Sequence, residues 1–299
     1  MKLQKTRAML QWLPCALVIT AIFLPNPCWP AQDLFFDSEG VRIHYTVEGH
    51  GDPVLLIHGF GANIKMNWSS TGIIKELSSN FHVIAIDNRG HGKSGKPHDP
   101  AAYGMEMIKD SIRLLDHLKI QRAHVVGYSM GGRIACALLG FYPERLRTAV
   151  LGGAGWFPPG DAWMGGLQRE LAESLKQGKG VGPLLIALNP PGNPPPTPEQ
   201  IAMTNKLVLS AADTQALAAV MSNPFPSPDE AQLRAVKIPV LSLIGELDPM
   251  KISMDRLQGV VPDFRMVVIP KATHGTATRS PEFVGSLKNF LLQHSLPAR

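Results

Sequence analysis

The chain has 299 residues, of which 44% are hydrophobic and 18% charged, so it can bury a sizeable core and is neither a disordered nor a fibrous protein. Three of its five net positive charges sit at Lys2, Lys5 and Arg7, in a segment, Met1 to Gln32, that holds no acid. The remainder carries no basic stripe with interleaved aromatics, which excludes a nucleic-acid-binding class.

The N-terminus reads as a targeting segment. Three basic residues precede an apolar run, Met9 to Leu24, that Pro25-Asn26-Pro27 breaks. This is the order of a secretory leader, and it predicts a signal peptide over 1–31 and export to a periplasmic or extracellular compartment. Ala31 suits the position before a cut, whereas Trp29 does not suit the position two before it. An uncleaved membrane anchor is the alternative, and membrane contact is expected only in that case. Cys15 and Cys28 lie in this leader, so a mature chain keeps Cys136 alone and has no internal disulfide. Cys136 itself is expected as a small buried hydrophobe.

Val41 to Glu48 alternates apolar and polar residues and predicts a half-exposed strand near a sheet edge. Pro53 to Ile57 and His82 to Asp87 are continuous apolar runs, the pattern of strands buried on both faces. A short helix is expected at Ile73 to Leu77. Another is expected at Met105 to Leu118, where Ile108, Ile112, Leu115 and Leu118 recur at helical spacing. The run His124 to Val126 then enters Gly127-Tyr128-Ser129-Met130-Gly131 and a small-residue helix, and Thr148 to Leu151 is the next strand. Strands that alternate with helices predict an α/β fold, a mostly parallel central sheet flanked by helices.

From 153 to 235 the pattern changes. Asp161 to Lys176, Pro183 to Leu188 and Pro198 to Val220 predict helices, joined in part by a proline-dense connector, Asn189 to Pro198, that reads as a surface linker. This stretch is expected as a helical lid inserted into a core of 32–152 and 236–299. The sheet pattern resumes with Pro239 to Ile244 and Phe264 to Pro270, and a helix over Pro281 to Leu292 closes the chain.

Ser129 stands in a strand–turn–helix context, where a serine is held exposed on a tight turn. A hydroxyl at neutral pH needs an adjacent base, and the base needs a group that fixes its tautomer. His274, in a loop of small residues after the last buried strand, is the expected base, while His58 and His91 are read as making loop hydrogen bonds. Asp248, at the end of the strand before it, is the expected orienting acid, with Glu246 as its rival. Asp87, which precedes the serine, is read as a loop anchor. Backbone N–H groups of Met130 and Phe60 are the expected oxyanion donors. Trp68, Trp156, Phe157, Trp163, Met164 and Leu167 are candidates for an apolar substrate wall.

Together, His58-Gly59-Phe60-Gly61, Asp87-x-Arg89-Gly90-His91-Gly92-x-Ser94, Gly127-Tyr128-Ser129-Met130-Gly131-Gly132, Gly245-x-x-Asp248 and the His274 loop resemble the α/β-hydrolase superfamily. The resemblance implies a Ser-His-Asp triad, no cofactor and no metal. A serine at the elbow is unlike the epoxide hydrolase and haloalkane dehalogenase branches, which place an aspartate there. The chain looks most like small carboxylesterases, with cofactor-free haloperoxidase-like perhydrolases and C–C bond hydrolases sharing the same elbow. The expected partner is a small-molecule ester, apolar in character. A non-catalytic ligand-binding member of the fold is the alternative from another class.

Overall fold

A computed structural model of the chain describes residues 32–223 and 226–295. The signal peptide or anchor over 1–31, with Cys15 and Cys28, lies outside the described residues. No helix among the described residues is long and apolar enough to cross a membrane.

Among the described residues eight strands form one sheet: β1 Leu34–Ser38, β2 Val41–Glu48, β3 Asp52–Ile57, β4 Phe81–Ile86, β5 Ala123–Tyr128, β6 Leu146–Gly152, β7 Val240–Gly245 and β8 Phe264–Ile269. Their spatial order is β1-β2-β4-β3-β5-β6-β7-β8. β1 pairs antiparallel with β2, and β2 with β4. The pairs from β4 to β8 are parallel. β1 was not expected, and its presence corrects the reading of β2. With β1 on its outer edge, β2 buries Ile43, His44, Tyr45 and Thr46 in sequence and is not half-exposed.

The parallel strands read as continuous apolar runs because alternate residues feed two separate cores. Leu55, Ile57, Val125 and Leu151 pack on one face, with α2 Met105–His117 and α3 Met130–Phe141. Val54, Leu56, Val126 and Val150 pack on the other, with α1 Ile73–Leu77 and α10 Pro281–Gln293. Both faces are covered, as right-handed crossovers along a parallel sheet require.

A helical insertion leaves after β6 and returns at β7. It contains α4 Ala162–Lys176, α5 Gly182–Ala187, α6 Pro198–Ala211, α7 Thr214–Ser222 and α8 Glu230–Arg234. Two helices, α6 and α7, stand where one was expected over Pro198 to Val220. The break falls at Asp213, whose side chain accepts a hydrogen bond from the Ala216 N–H and so starts a new helix inside an apolar run. α4 and α7 pack on one another, and Leu171, Leu175 and Leu217 join the core on the α3 face. A short α9, Lys251–Asp255, follows β7.

Candidate active site

The elbow follows from local sterics. β5 ends at Tyr128, and Ser129 takes φ 57° and ψ −116° before α3 begins. A non-glycine residue in that region stores about 1–3 kcal/mol of backbone strain, held here by the sheet and helix on either side. The Ser129 N–H donates to the Gly152 carbonyl at 2.7 Å. A Cβ at Gly127 would stand 1.9 Å from the Gly131 carbonyl oxygen, so the turn closes only with glycine there.

Three loops at the carboxyl ends of strands meet at Ser129. The His274 Nε2 lies 2.9 Å from Ser129 Oγ. The His274 Nδ1 lies 2.8 Å from Asp248 Oδ2. A carboxylate accepts only, so Nδ1 carries the proton and Nε2 is left to accept from the serine hydroxyl. Asp248 is 2% exposed, and its other oxygen accepts from the Met250 N–H at 2.9 Å. Glu246, the rival acid, instead accepts from the Lys271 N–H at 2.7 Å, on the exterior. A further contact was not foreseen: the Tyr128 hydroxyl donates to the His274 carbonyl at 2.6 Å, tying the elbow to the histidine loop. Burial pushes the Tyr128 phenol well above its ordinary pKa, with the Asp248 charge adding to that effect.

The loop after β3 lies against the serine. A Cβ on Gly59 would be 3.2 Å from the Ser129 Cβ. The Gly59 N–H is held by Asn67 Oδ1 at 2.9 Å, and the carbonyl by His58 Nδ1 at 2.7 Å. Among the described residues no acceptor takes the N–H of Phe60 or of Met130. His58 Nε2 accepts from the Asn88 N–H at 3.0 Å, and His91 Nδ1 bonds the Arg89 carbonyl at 3.0 Å, so both rings work within loops. Burial lowers the pKa of each, to about 3 for His91, and both are neutral at pH 7. Asp87 accepts from the Ile64 and Lys93 N–H groups and from His44 Nδ1, at 2.8, 2.9 and 2.8 Å, and so ties three segments together. Although burial pushes its carboxyl upward, those hydrogen bonds hold it below its ordinary value.

Ser129 faces a chamber of about 50 Å³ lined by Phe60, Met130, Arg133, Gln168 and the apolar side chains of the insertion. Met164 and Leu167 are in its wall. The aromatic candidates are not. Trp68 is fully buried among Ile64, Ile73 and Leu77 under the opposite face of the sheet. Trp156 is 5% exposed and spends its indole N–H on the Pro228 carbonyl at 2.9 Å. Phe157 packs with Met250 and lines an outer groove of about 950 Å³, and Trp163 stacks on it from the exterior. Each of these rings found a flat partner or a core position, and unbranched methionines fill the irregular space beside the serine instead. His274 also borders an open groove with Pro190 and Pro196, so the proline-dense connector adjoins the site. Arg133 and Gln168 were not among the candidates. Arg133 stands four residues after Ser129, on the same helix face, and that spacing was the available signal. Among the described residues no group of three or more His, Cys, Asp or Glu side chains is placed to hold a metal ion.

Comparison with known proteins agrees with this architecture. The family model for the α/β-hydrolase fold matches residues 52–176. Haloalkane dehalogenase 2 of Mycobacterium bovis is 35% identical over 144 residues, covering 46% of this chain and 48% of that protein. The 2-hydroxymuconate semialdehyde hydrolase of a Pseudomonas species is 39% identical over 120 residues, covering 39% of this chain and 41% of that protein. The chain thus spans less than half the length of these curated relatives. A malate-bound thermophilic esterase from Thermogutta terrifontis superposes with a TM-score of 0.72 at 27% identity, over 89% of this chain and all of that one. The matched segment, the eight-stranded sheet and the structural neighbours together show the α/β-hydrolase fold.

Proposed function

We propose that the chain is a serine hydrolase acting on carboxylic esters through an acyl-enzyme. The observation that carries the reading is the continuous relay Ser129–His274–Asp248, with both links under 3 Å, at the mouth of an apolar chamber. Ser129 Oγ attacks the ester carbonyl as His274 Nε2 takes its proton. The oxyanion accepts from the N–H groups of Phe60 and Met130, whose positions beside Ser129 cost no reorganisation during the reaction. His274 returns the proton to the leaving alcohol, and water then repeats the sequence on the acyl-enzyme. Asp248 stays ionised and fixes the imidazole tautomer. The insertion serves as the lid, and Met164 and Leu167 supply its apolar contribution to the substrate wall. The N-terminal segment, read as a leader, would deliver the enzyme to an exported location.

A C–C bond hydrolase is the second reading, favoured by the 39% identity to the 2-hydroxymuconate semialdehyde hydrolase. The dehalogenase match carries less weight, because Ser129 stands where displacement of a halide calls for a carboxylate nucleophile. Ser129→Ala, assayed on p-nitrophenyl esters of graded chain length, should lose at least about 10⁴-fold in kcat with an unchanged circular dichroism spectrum. A variant retaining the parental rate would refute the mechanism. Turnover of a vinylogous diketone in preference to every ester would move the assignment to the second reading.

A further inference from the structure

The peptide that joins Gly59 to Phe60 has one end free and one end held. Its N–H, on Phe60, takes no acceptor among the described residues. Its carbonyl, on Gly59, takes two donors, the Ala62 N–H at 3.2 Å across a tight turn and the His58 Nδ1 at 2.7 Å. A trans peptide is planar, and its C=O and N–H point opposite ways. Whatever holds the Gly59 oxygen therefore also aims the Phe60 N–H.

The proton on the His58 ring is placed by the loop after β4. His58 Nε2 lies 3.0 Å from the Asn88 backbone nitrogen. An amide N–H can only donate, so Nε2 accepts, and the one proton of a neutral imidazole sits on Nδ1, against the Gly59 oxygen. Burial lowers the His58 pKa and keeps the ring neutral. The Asn88 side chain also donates to the His58 carbonyl at 3.2 Å, so one loop grips both ring and backbone. His58 is 0% and Asn88 1% exposed. Gly59 itself has no side chain to fix its orientation, and a Cβ there would stand 3.2 Å from the Ser129 Cβ. The fixing falls to its neighbours, with Asn67 Oδ1 on the Gly59 N–H at 2.9 Å and His58 on the carbonyl.

We propose that His58 is a positioning residue of the Ser129 site: through the Gly59 carbonyl, its imidazole holds the Phe60 N–H in the direction in which that group donates to the substrate oxyanion. The assignment rests on the serine-hydrolase reading, in which Phe60 supplies one of the two oxyanion donors. Donation into the Gly59 oxygen also polarises the amide and strengthens the N–H on its far side. The ring acts without touching the substrate.

Two substitutions divide the hydrogen bonds of the ring. His58→Asn keeps a donor beside the Gly59 oxygen and gives up the acceptor for Asn88. His58→Gln keeps that acceptor and gives up the donor. Both should lower the urea midpoint. On p-nitrophenyl butyrate, His58→Gln should lose about 10- to 100-fold in kcat, between the worth of one hydrogen bond and that of a whole oxyanion donor. Its KM should change less than about threefold, and the kcat of His58→Asn should stay within about threefold of the parent. An alkyl trifluoromethyl ketone, which captures Ser129 as an oxyanionic hemiketal, should lose affinity for His58→Gln by the factor by which kcat/KM falls. Equal kcat in the two variants, or a loss of kcat without a matching loss of ketone affinity, would overturn the proposal and leave His58 a packing residue. Should neither variant fold by circular dichroism, nitrogen NMR of the histidine-labelled parent decides. A proton on Nδ1 of His58 supports the assignment, and a proton on Nε2 overturns it. Labelling of the parent by a neutral fluorophosphonate tests the hydrolase reading separately. No labelling removes that reading and this one together, whereas labelling with equal kcat in the two variants removes this one alone.

Discussion

Tyr128→Phe removes one oxygen and tests whether the elbow positions its own base. The ring is 5% exposed, packed 5.5 Å from the His274 imidazole and 6.0 Å from Phe283, and the variant keeps that packing. What is lost is the 2.6 Å hydrogen bond to the His274 carbonyl, which takes no other donor among the described residues. The preceding turn has its own anchors, since Leu247 N donates to Ala272 O at 2.9 Å and Ala272 N to Ile269 O at 3.3 Å. The loss therefore falls on His274 itself. A neutral hydrogen bond of this kind contributes about 1–1.5 kcal/mol. If that energy holds the imidazole over Ser129, its removal lowers the productive population about 5- to 12-fold, at 1.4 kcal/mol per decade. Steady-state kinetics on p-nitrophenyl butyrate should show kcat down by that factor with KM changed less than about twofold. Urea unfolding should show a parallel loss of about 1–1.5 kcal/mol. A kcat within twofold of wild type, together with the stability loss, would refute the positioning role and leave Tyr128 purely structural.

Two further outcomes follow from buried charge. Arg89 donates to both oxygens of Asp110 at 2.6 Å in a site where the two residues are 2% and 1% exposed, so Asp110→Ala strands a buried guanidinium. Urea denaturation should report a loss of about 3–5 kcal/mol, and a value below about 1 kcal/mol would contradict the pairing. Burial also depresses His58, His91 and His124, with His91 near 3 and His124 near 4, against 6.5 in the unfolded chain. Below pH 6.5 the unfolded chain takes up protons that the folded one refuses, so stability falls as pH drops and goes on falling until the folded values are reached. His91 and His124 should each lower stability by about 2 kcal/mol between pH 7 and pH 5, and His58 acts in the same direction. Denaturant midpoints that do not move over that interval would refute it, and His91→Gln should shallow the slope.

Much of this architecture was legible because burial on two faces writes itself as uninterrupted apolar runs. β3 to β7 were each visible that way, while β8, read as buried, is a half-exposed edge strand whose run is interrupted by Arg265, and the strand ends that carry Ser129, Asp248 and His274 came with them. β1 was not, since Leu34-Phe35-Phe36-Asp37-Ser38 is short and partly exposed, and its pairing with β2 is a long-range fact that no local pattern encodes. The split between α6 and α7 was missed because periodicity runs straight through it, while the decisive signal is one aspartate acting as a cap. The placement of the aromatic candidates away from the Ser129 chamber was illegible for a different reason. Aromatic residues near an insertion look like a pocket lining, yet which way a side chain faces depends on how helices dock, and a single chain of letters holds little of that. Arg133 was recoverable from its four-residue spacing after Ser129. Gln168 was not, because nothing in its neighbourhood distinguishes a glutamine on the chamber side of α4 from one on the solvent side.

The insertion departs from the carboxyl end of β6 and comes back at the amino end of β7, its parallel neighbour in the sheet, so the chain must also travel back along the strands before β7 begins. A detour that lies wholly between two strand ends can lengthen, shorten or be re-sequenced while the strands beneath keep their register. Met164, Leu167, Leu171, Leu184 and Met221 belong to that replaceable part, whereas Arg133 shares a rigid helix with the nucleophile. Descendants of this chain could therefore revise the insertion far more freely than the strand and helix that hold Ser129 between them.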